Sequence, residues 1–223
     1  MSPPAKYRHA SQNSSLSALG RARADWEDRD VVFVSLNTKW SDSIAGQPPR
    51  LLEIGLSYVD TSYLNILPPS TWNFKTRHFI INSNKPRYNS YYEDKSCYFR
   101  FGRSYRCQLN RARTAISELL SNWGDRVRLV TFHGKHDIDR FDELRIDLSG
   151  LRNYDVMKLD RVTNQLRHFR NLKSICQEWF DGPEEDVMRY FTLEKMGNAG
   201  NDAFFQLCVF RAMCFFLPEA EYH

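Results

Sequence analysis

One stretch of the chain gathers ten aromatic and basic side chains: Arg87, Tyr88, Tyr91, Tyr92, Tyr98, Arg100, Phe101, Arg103, Tyr105 and Arg106. Rings of this kind stack on bases while guanidinium groups follow phosphates, the combination that holds single-stranded nucleic acid. The plainer alternative is a structured insertion with rings packed on a sheet and charges in water. A second basic run, Arg161, Arg167, His168, Arg170 and Lys173, could lengthen such a groove. His133 and His136 flank Gly134, just ahead of Asp137 and Asp139, and could serve as a base or as metal ligands. Loop histidines with ordinary hydrogen bonds are the competing reading. No spacing suggests a nucleophilic triad or a glycine loop that cradles phosphate.

These residues sit in a chain of 223 residues that is 42% hydrophobic and 26% charged, with a net charge of +4. That is enough apolar material for one sizeable core. The mild basicity permits nucleic-acid contact without requiring it. No run approaches the roughly 20 apolar residues of a membrane span, and no membrane association is expected. Residues 1–20 lack the apolar segment of a secretory leader. Of five cysteines, Cys176, Cys208 and Cys214 fall in apolar helical patterns, as buried reduced thiols do. A reducing compartment, cytoplasmic or nuclear, is the expectation.

The elements that must carry these residues can be read from periodicity. Residues 1–25 have the composition of a flexible tail, and 26–223 read as one domain. Val31–Val34 is a short β-branched and aromatic run, as in a buried strand. In Leu51–Val59, Leu52, Ile54, Leu56 and Tyr58 alternate with Glu53, Gly55 and Ser57. A third strand spans Asn73–Ile81, a fourth Val127–Phe132 and a fifth Tyr154–Met157. Proline-rich turns between the first three suggest antiparallel hairpins. Helical spacing marks Ala112–Trp123, Ile138–Leu144 and Leu172–Phe180, the last with Asn171 as N-cap. The helix at about 201–217 is apolar on nearly every face. Three strands followed by alternating helices and strands give an α/β domain with a mixed five-stranded sheet flanked by helices, the RNase H-like order.

Particular residues carry a resemblance to a family. VFVSLNTKW followed by LLEIGLSYVD resembles the opening of the DEDDh 3′–5′ exonucleases, a D-x-E strand and then an (I/L)-x-E-I-G strand. Phe99–Ser104, FRFGRS, resembles a motif of fungal members, and Gly197–Ala203, GNAGNDA, resembles the family's H-N-A-G-N-D-A. Together, over about residues 30 to 217, they are similar to the C-terminal domain of the fungal Gfd (good-for-full-activity) proteins.

The resemblance implies a chemistry and also its loss. In the family, four carboxylates hold two divalent cations and a histidine acts as general base. Carried over by position, the first Asp is Asn37, the Glu two residues on is Lys39, and the histidine is Gly197; the final Asp is kept as Asp202. The middle Asp is Asp137, with Asp139 as runner-up. No catalytic residue and no metal are therefore expected; if a metal binds, Asp137 and Asp202 would hold Mg²⁺ or Mn²⁺. Lys39 is expected to fill the vacated metal position as a counterion. At about 4 Å from a carboxylate it would interact by about 4 kcal/mol at an effective dielectric near 20. The leading expectation is a domain that binds RNA, another single strand, or a protein partner without cleavage. Arg100, Phe101, Arg103, Tyr105 and Arg106 are the expected nucleic-acid contacts. Two alternatives stand beside it: an active exonuclease rebuilt on Asp137, Asp139, His133 and Asp202, and a protein-interaction module with no nucleic-acid role.

Overall fold

The computed structural model describes residues 18–41, 48–63, 74–82, 95–180 and 196–216. After a helix over 18–28 (α1) come β1 (Val32–Trp40), β2 (Leu51–Asp60), β3 (Lys75–Ile81) and β4 (Gly102–Cys107). Then follow α2 (Leu109–Trp123), β5 (Val127–Thr131), α3 (Lys135–Glu143), β6 (Arg152–Asp155), α4 (Val156–Thr163), α5 (Leu172–Phe180) and α6 (Ala199–Phe216). The sheet order is β4-β3-β2-β1-β5-β6. β1, β2 and β3 pair antiparallel, as the hairpin reading requires, while β5 pairs parallel with β1, and β6 with β5. This is the expected RNase H-like mixed sheet with one strand more.

The extra strand is β4, which runs parallel to β3 at the sheet edge. Residues 102–106 are all exposed. With neither face covered, the segment needs no alternation of apolar residues, which is why its sequence carries no strand period. The fifth expected strand also changes at its end. Asp155 terminates β6 and caps α4 by accepting the Lys158 N–H at 3.3 Å, so Val156 and Met157 begin a helix.

Helices cover both sheet faces. Val32, Val34 and Leu36 pack with Ile54, Leu56, Phe79 and Ile116 beneath α2, and Phe33 packs with Phe205, Phe210 and Met213 of α6 on the other side. Helix α1 already lies before residue 26. Leu19, Ala22 and Trp26 are buried on one side of α1, and the Asp25 carboxylate accepts from Arg128, Arg152 and the Tyr154 hydroxyl. The spacing 19, 22, 26 is helical, but it follows a polar segment and reads as tail by composition; residues 1–17 lie outside the described residues. Cys176, Cys208 and Cys214 are buried and unpaired, as expected. No helix among the described residues is long and apolar enough to cross a membrane.

Candidate functional site

The residues singled out on β1, β2 and α6 meet at one end of the sheet. Along β1, Phe33, Ser35, Asn37 and Lys39 point to the α6 side, because alternate residues share a face. In the antiparallel register Asn37 lies opposite Gly55 and Lys39 opposite Glu53. The start of α6 comes down on this patch because β2 offers it no side chain at Gly55. A Cβ there would stand 1.9 Å from the Ala199 carbonyl oxygen. Gly200 answers from the helix, where a Cβ would fall 2.7 Å from the Phe99 ring.

Lys39 meets Asp202 through Gly197 rather than directly. Its Nζ donates to the Gly197 carbonyl at 2.5 Å, while the Gly197 N–H donates to Asp202 Oδ1 at 3.0 Å. Ammonium and carboxylate thus grip opposite ends of one residue, whereas the sequence suggested a direct pair. Gly197 has φ +85°, a left-handed conformation suited to glycine. The Lys95 stem lies 3.6 Å from where its Cβ would be.

Asp202 is half-buried, yet enclosure of its carboxyl pushes its pKa up to about 7. The Gly197 N–H and Lys39 pull it down, Glu53 raises it and Lys95 lowers it. An unfolded Asp titrates near about 3.9. Since the folded state holds the proton more tightly, this residue's contribution to stability is present at acid pH and lost as pH rises from about 4 to about 7. Asp202→Asn should therefore stabilise the protein at pH 8, by on the order of 2 kcal/mol. It should also flatten the pH dependence of urea unfolding across that window. A parent and variant of equal stability at pH 8 would show that the carboxylate carries no such penalty.

Glu53 faces inward. It is buried, and its Oε2 accepts the Ala199 N–H at 3.1 Å and contacts His78 Nε2 at 3.1 Å. His78 Nδ1 in turn meets Ser104 Oγ at 2.9 Å. This Glu–His–Ser line, invisible in the sequence because its members lie 25 and 26 residues apart, ties edge strand β4 to β3, β2 and the start of α6. Asn198 and Asn201, both fully buried, do similar work. Asn198 Nδ2 donates to the Lys95 carbonyl at 3.0 Å and Asn201 Nδ2 to that of Tyr98 at 3.0 Å, and Asn201 Oδ1 accepts the Arg100 N–H at 3.2 Å. Their i, i+3 spacing at the head of an apolar helix was the available signal.

Asp137, Asp139 and His133 lie around the turn into α3. Asp137 Oδ2 accepts the N–H groups of Phe132 and His133 at 3.0 and 2.9 Å, which shapes the loop into α3. Asp139 pairs with Lys135 at 2.6 Å in solvent. His133 and His136 stack edge to face on the surface, with ring centroids 5.2 Å apart. Among the described residues, no three His, Cys, Asp or Glu side chains gather where a metal ion could sit.

The basic and aromatic stretch divides. Arg100, Arg103, Tyr105 and Arg106 are exposed. Phe101 is partly buried and stacked on Phe204 at 3.7 Å with an interplanar angle of 9°, which takes up one of the faces a base would use. Arg103 and Tyr105 project toward the α2 side of β4, and Ser104 and Arg106 toward the α6 side, so the cations form a rim around the edge. Arg87, Tyr88, Tyr91 and Tyr92 lie outside the described residues. In the second basic run, Arg170 is spent on buried Asp160 and on Glu178, and Arg161 covers the Phe169 ring, its Cζ 4.3 Å from the centroid.

A family model described as DNA polymerase III subunit epsilon-like, C-terminal domain, of DEDDh type, matches residues 32–213. No curated protein matches the chain.

Proposed function

The chain belongs to the DEDDh family of DNA polymerase III subunit epsilon-like domains, and from that premise we propose that it binds a nucleic-acid strand without cleaving it. The observation that carries this reading is the Lys39 ammonium, held by the Gly197 carbonyl at 2.5 Å on the face where the family's cations would be bound.

The residues present do not fit a two-metal centre. A hard divalent cation needs several anionic oxygens in near-octahedral array. Asn37 offers a neutral amide and Lys39 only donors. Asp202 is committed to the Gly197 N–H and Glu53 to His78 and the Ala199 N–H. The position matching the general base has no side chain, and its left-handed backbone, φ +85°, would strain a histidine there. A site rebuilt on Asp137, Asp139 and His133 is disfavoured because the first two are engaged elsewhere.

Strand binding is supported by the exposed cations of the edge: Arg100, Arg103 and Arg106 make no ion pair with a described residue, whereas Arg126, Arg128, Arg152 and Arg170 all do. Each phosphate contact on a single strand contributes about 0.7 to the slope of log K against log salt. Changing Arg100, Arg103 and Arg106 together to alanine should lower that slope by roughly 2 and weaken binding at low salt by more than tenfold. Gel-shift titrations of a labelled single strand at several salt concentrations measure both. Salt-independent binding, or no binding by the parent, would favour a protein-interaction module.

A further inference from the structure

We propose that Lys39 and Lys95 together hold a phosphodiester of the bound strand, taking over the neutralising role of metal ions so that binding needs no divalent cation. The inference rests on the strand-binding reading and specifies where the backbone lies.

Residues 197–201 organise three cations from two segments, β1 and the stretch just before β4. The Gly197 carbonyl holds the Lys39 ammonium. Asn198 holds the backbone of Lys95, whose side-chain stem lies along Gly197. Asn201 holds the backbone of Arg100. None of the three side chains forms an ion pair with a described residue. Lys39 spends one donor on Gly197, and an ammonium has three, so two remain for an anion.

Neither neighbouring carboxylate takes a hydrogen bond from those ammonium groups, although both lysines attract Asp202. Glu53 is closed off by His78 and the Ala199 N–H, and Asp202 Oδ1 is turned onto the Gly197 N–H. Three of the first four amides of α6 are also committed: Ala199 donates to Glu53, Asn201 to Asn198 Oδ1 and Asp202 to the Asn198 carbonyl. Side-chain cations, not helix amides, are what this corner offers a phosphate.

Register places the basic rim relative to Lys39. Lys39 lies opposite Glu53, Glu53 opposite Ile80, and Ile80 opposite Arg106. One cross-strand row therefore runs from Lys39 on β1 to Arg106 on β4, a span of roughly 14 Å at about 4.8 Å per strand. Lys95 and Arg100 border it. The row passes through buried Glu53, so Lys39 and the exposed rim at Arg106 are two cationic points on either side of the α6 start rather than one open track.

The test is fluorescence anisotropy with a labelled single strand, in EDTA and again in Mg²⁺, for the full chain and for Lys39→Gln/Lys95→Gln and Lys39→Arg/Lys95→Arg. Equal affinity of the parent in EDTA and Mg²⁺ is expected. The glutamine pair should bind roughly tenfold more weakly with a salt slope reduced by about 1.4, and the arginine pair should restore most of the loss. Thermal unfolding of each variant checks that the fold is kept. A glutamine pair that folds and binds like the parent would overturn the inference while leaving strand binding on the rim intact, and so would binding that requires Mg²⁺. Absence of parental binding would instead overturn strand binding itself.

Discussion

Replacing Gly55 by alanine is expected to lower the unfolding free energy by about 3 kcal/mol or more. The added Cβ would stand 1.9 Å from the Ala199 carbonyl oxygen and 2.6 Å from the Gly200 amide nitrogen. Both are backbone atoms of a helix start that Asn198, Asn201 and Glu53 fix in place. No side chain can rotate to relieve the clash, so α6 must lift from β2. The melting temperature should fall by roughly 10 °C for a domain of this size. Gly20 is the control. It lies within α1, and a Cβ there meets nothing within 4 Å. Gly20→Ala should stabilise the protein by about 0.5–1 kcal/mol through helix propensity alone. Thermal denaturation followed by circular dichroism measures both. A Gly55→Ala protein as stable as the parent would mean that α6 does not lie on β2 as described.

The second large effect concerns the lysine. Asn37→Asp/Lys39→Glu introduces two carboxylates beside Asp202 and Glu53 and removes the ammonium that lowers the pKa of Asp202. Without metal, the double variant should be several kcal/mol less stable than the parent near pH 8, since like charges then share a partly closed site. The same carboxylates supply the oxygens that Mn²⁺ requires. Its melting temperature should therefore rise with added Mn²⁺, by about 2.7 kcal/mol of stability at a hundredfold excess over Kd. The parent's should not move. Restoring ligands need not restore hydrolysis, because Gly197 still supplies no base. A parent protein stabilised by Mn²⁺ as strongly as the double variant would remove Lys39 from its assigned role.

Much of the scaffold was legible because local pattern and tertiary burial agree. The alternation from Leu51 to Val59 marked a strand, and in the structure Glu53, Gly55 and Ser57 share the face beneath α6. Asn171 caps α5 through the Ser174 N–H at 2.9 Å. The even apolar character of the last helix foretold its deep packing, and residues 203–210 and 212–214 are buried. Edge strand β4 was not legible, since an exposed strand needs no apolar period. Helix α1 was hidden because its three core residues follow a polar, proline-containing segment. At the site, residue types could be read but partners could not. Lys39 announced a cation, and nothing local tells that its acceptor is a carbonyl 158 residues away. Phe101 likewise has a partner that no local pattern shows: one face of this ring among arginines is taken by Phe204.

The most direct measurement is an exonuclease assay on 3′- and 5′-labelled single and double strands, RNA and DNA, in Mg²⁺ and in Mn²⁺. The account predicts that the strands stay at full length over hours, at protein concentrations that shift them in a gel. Metal-dependent shortening from the 3′ end, abolished by Asp202→Ala, would contradict it.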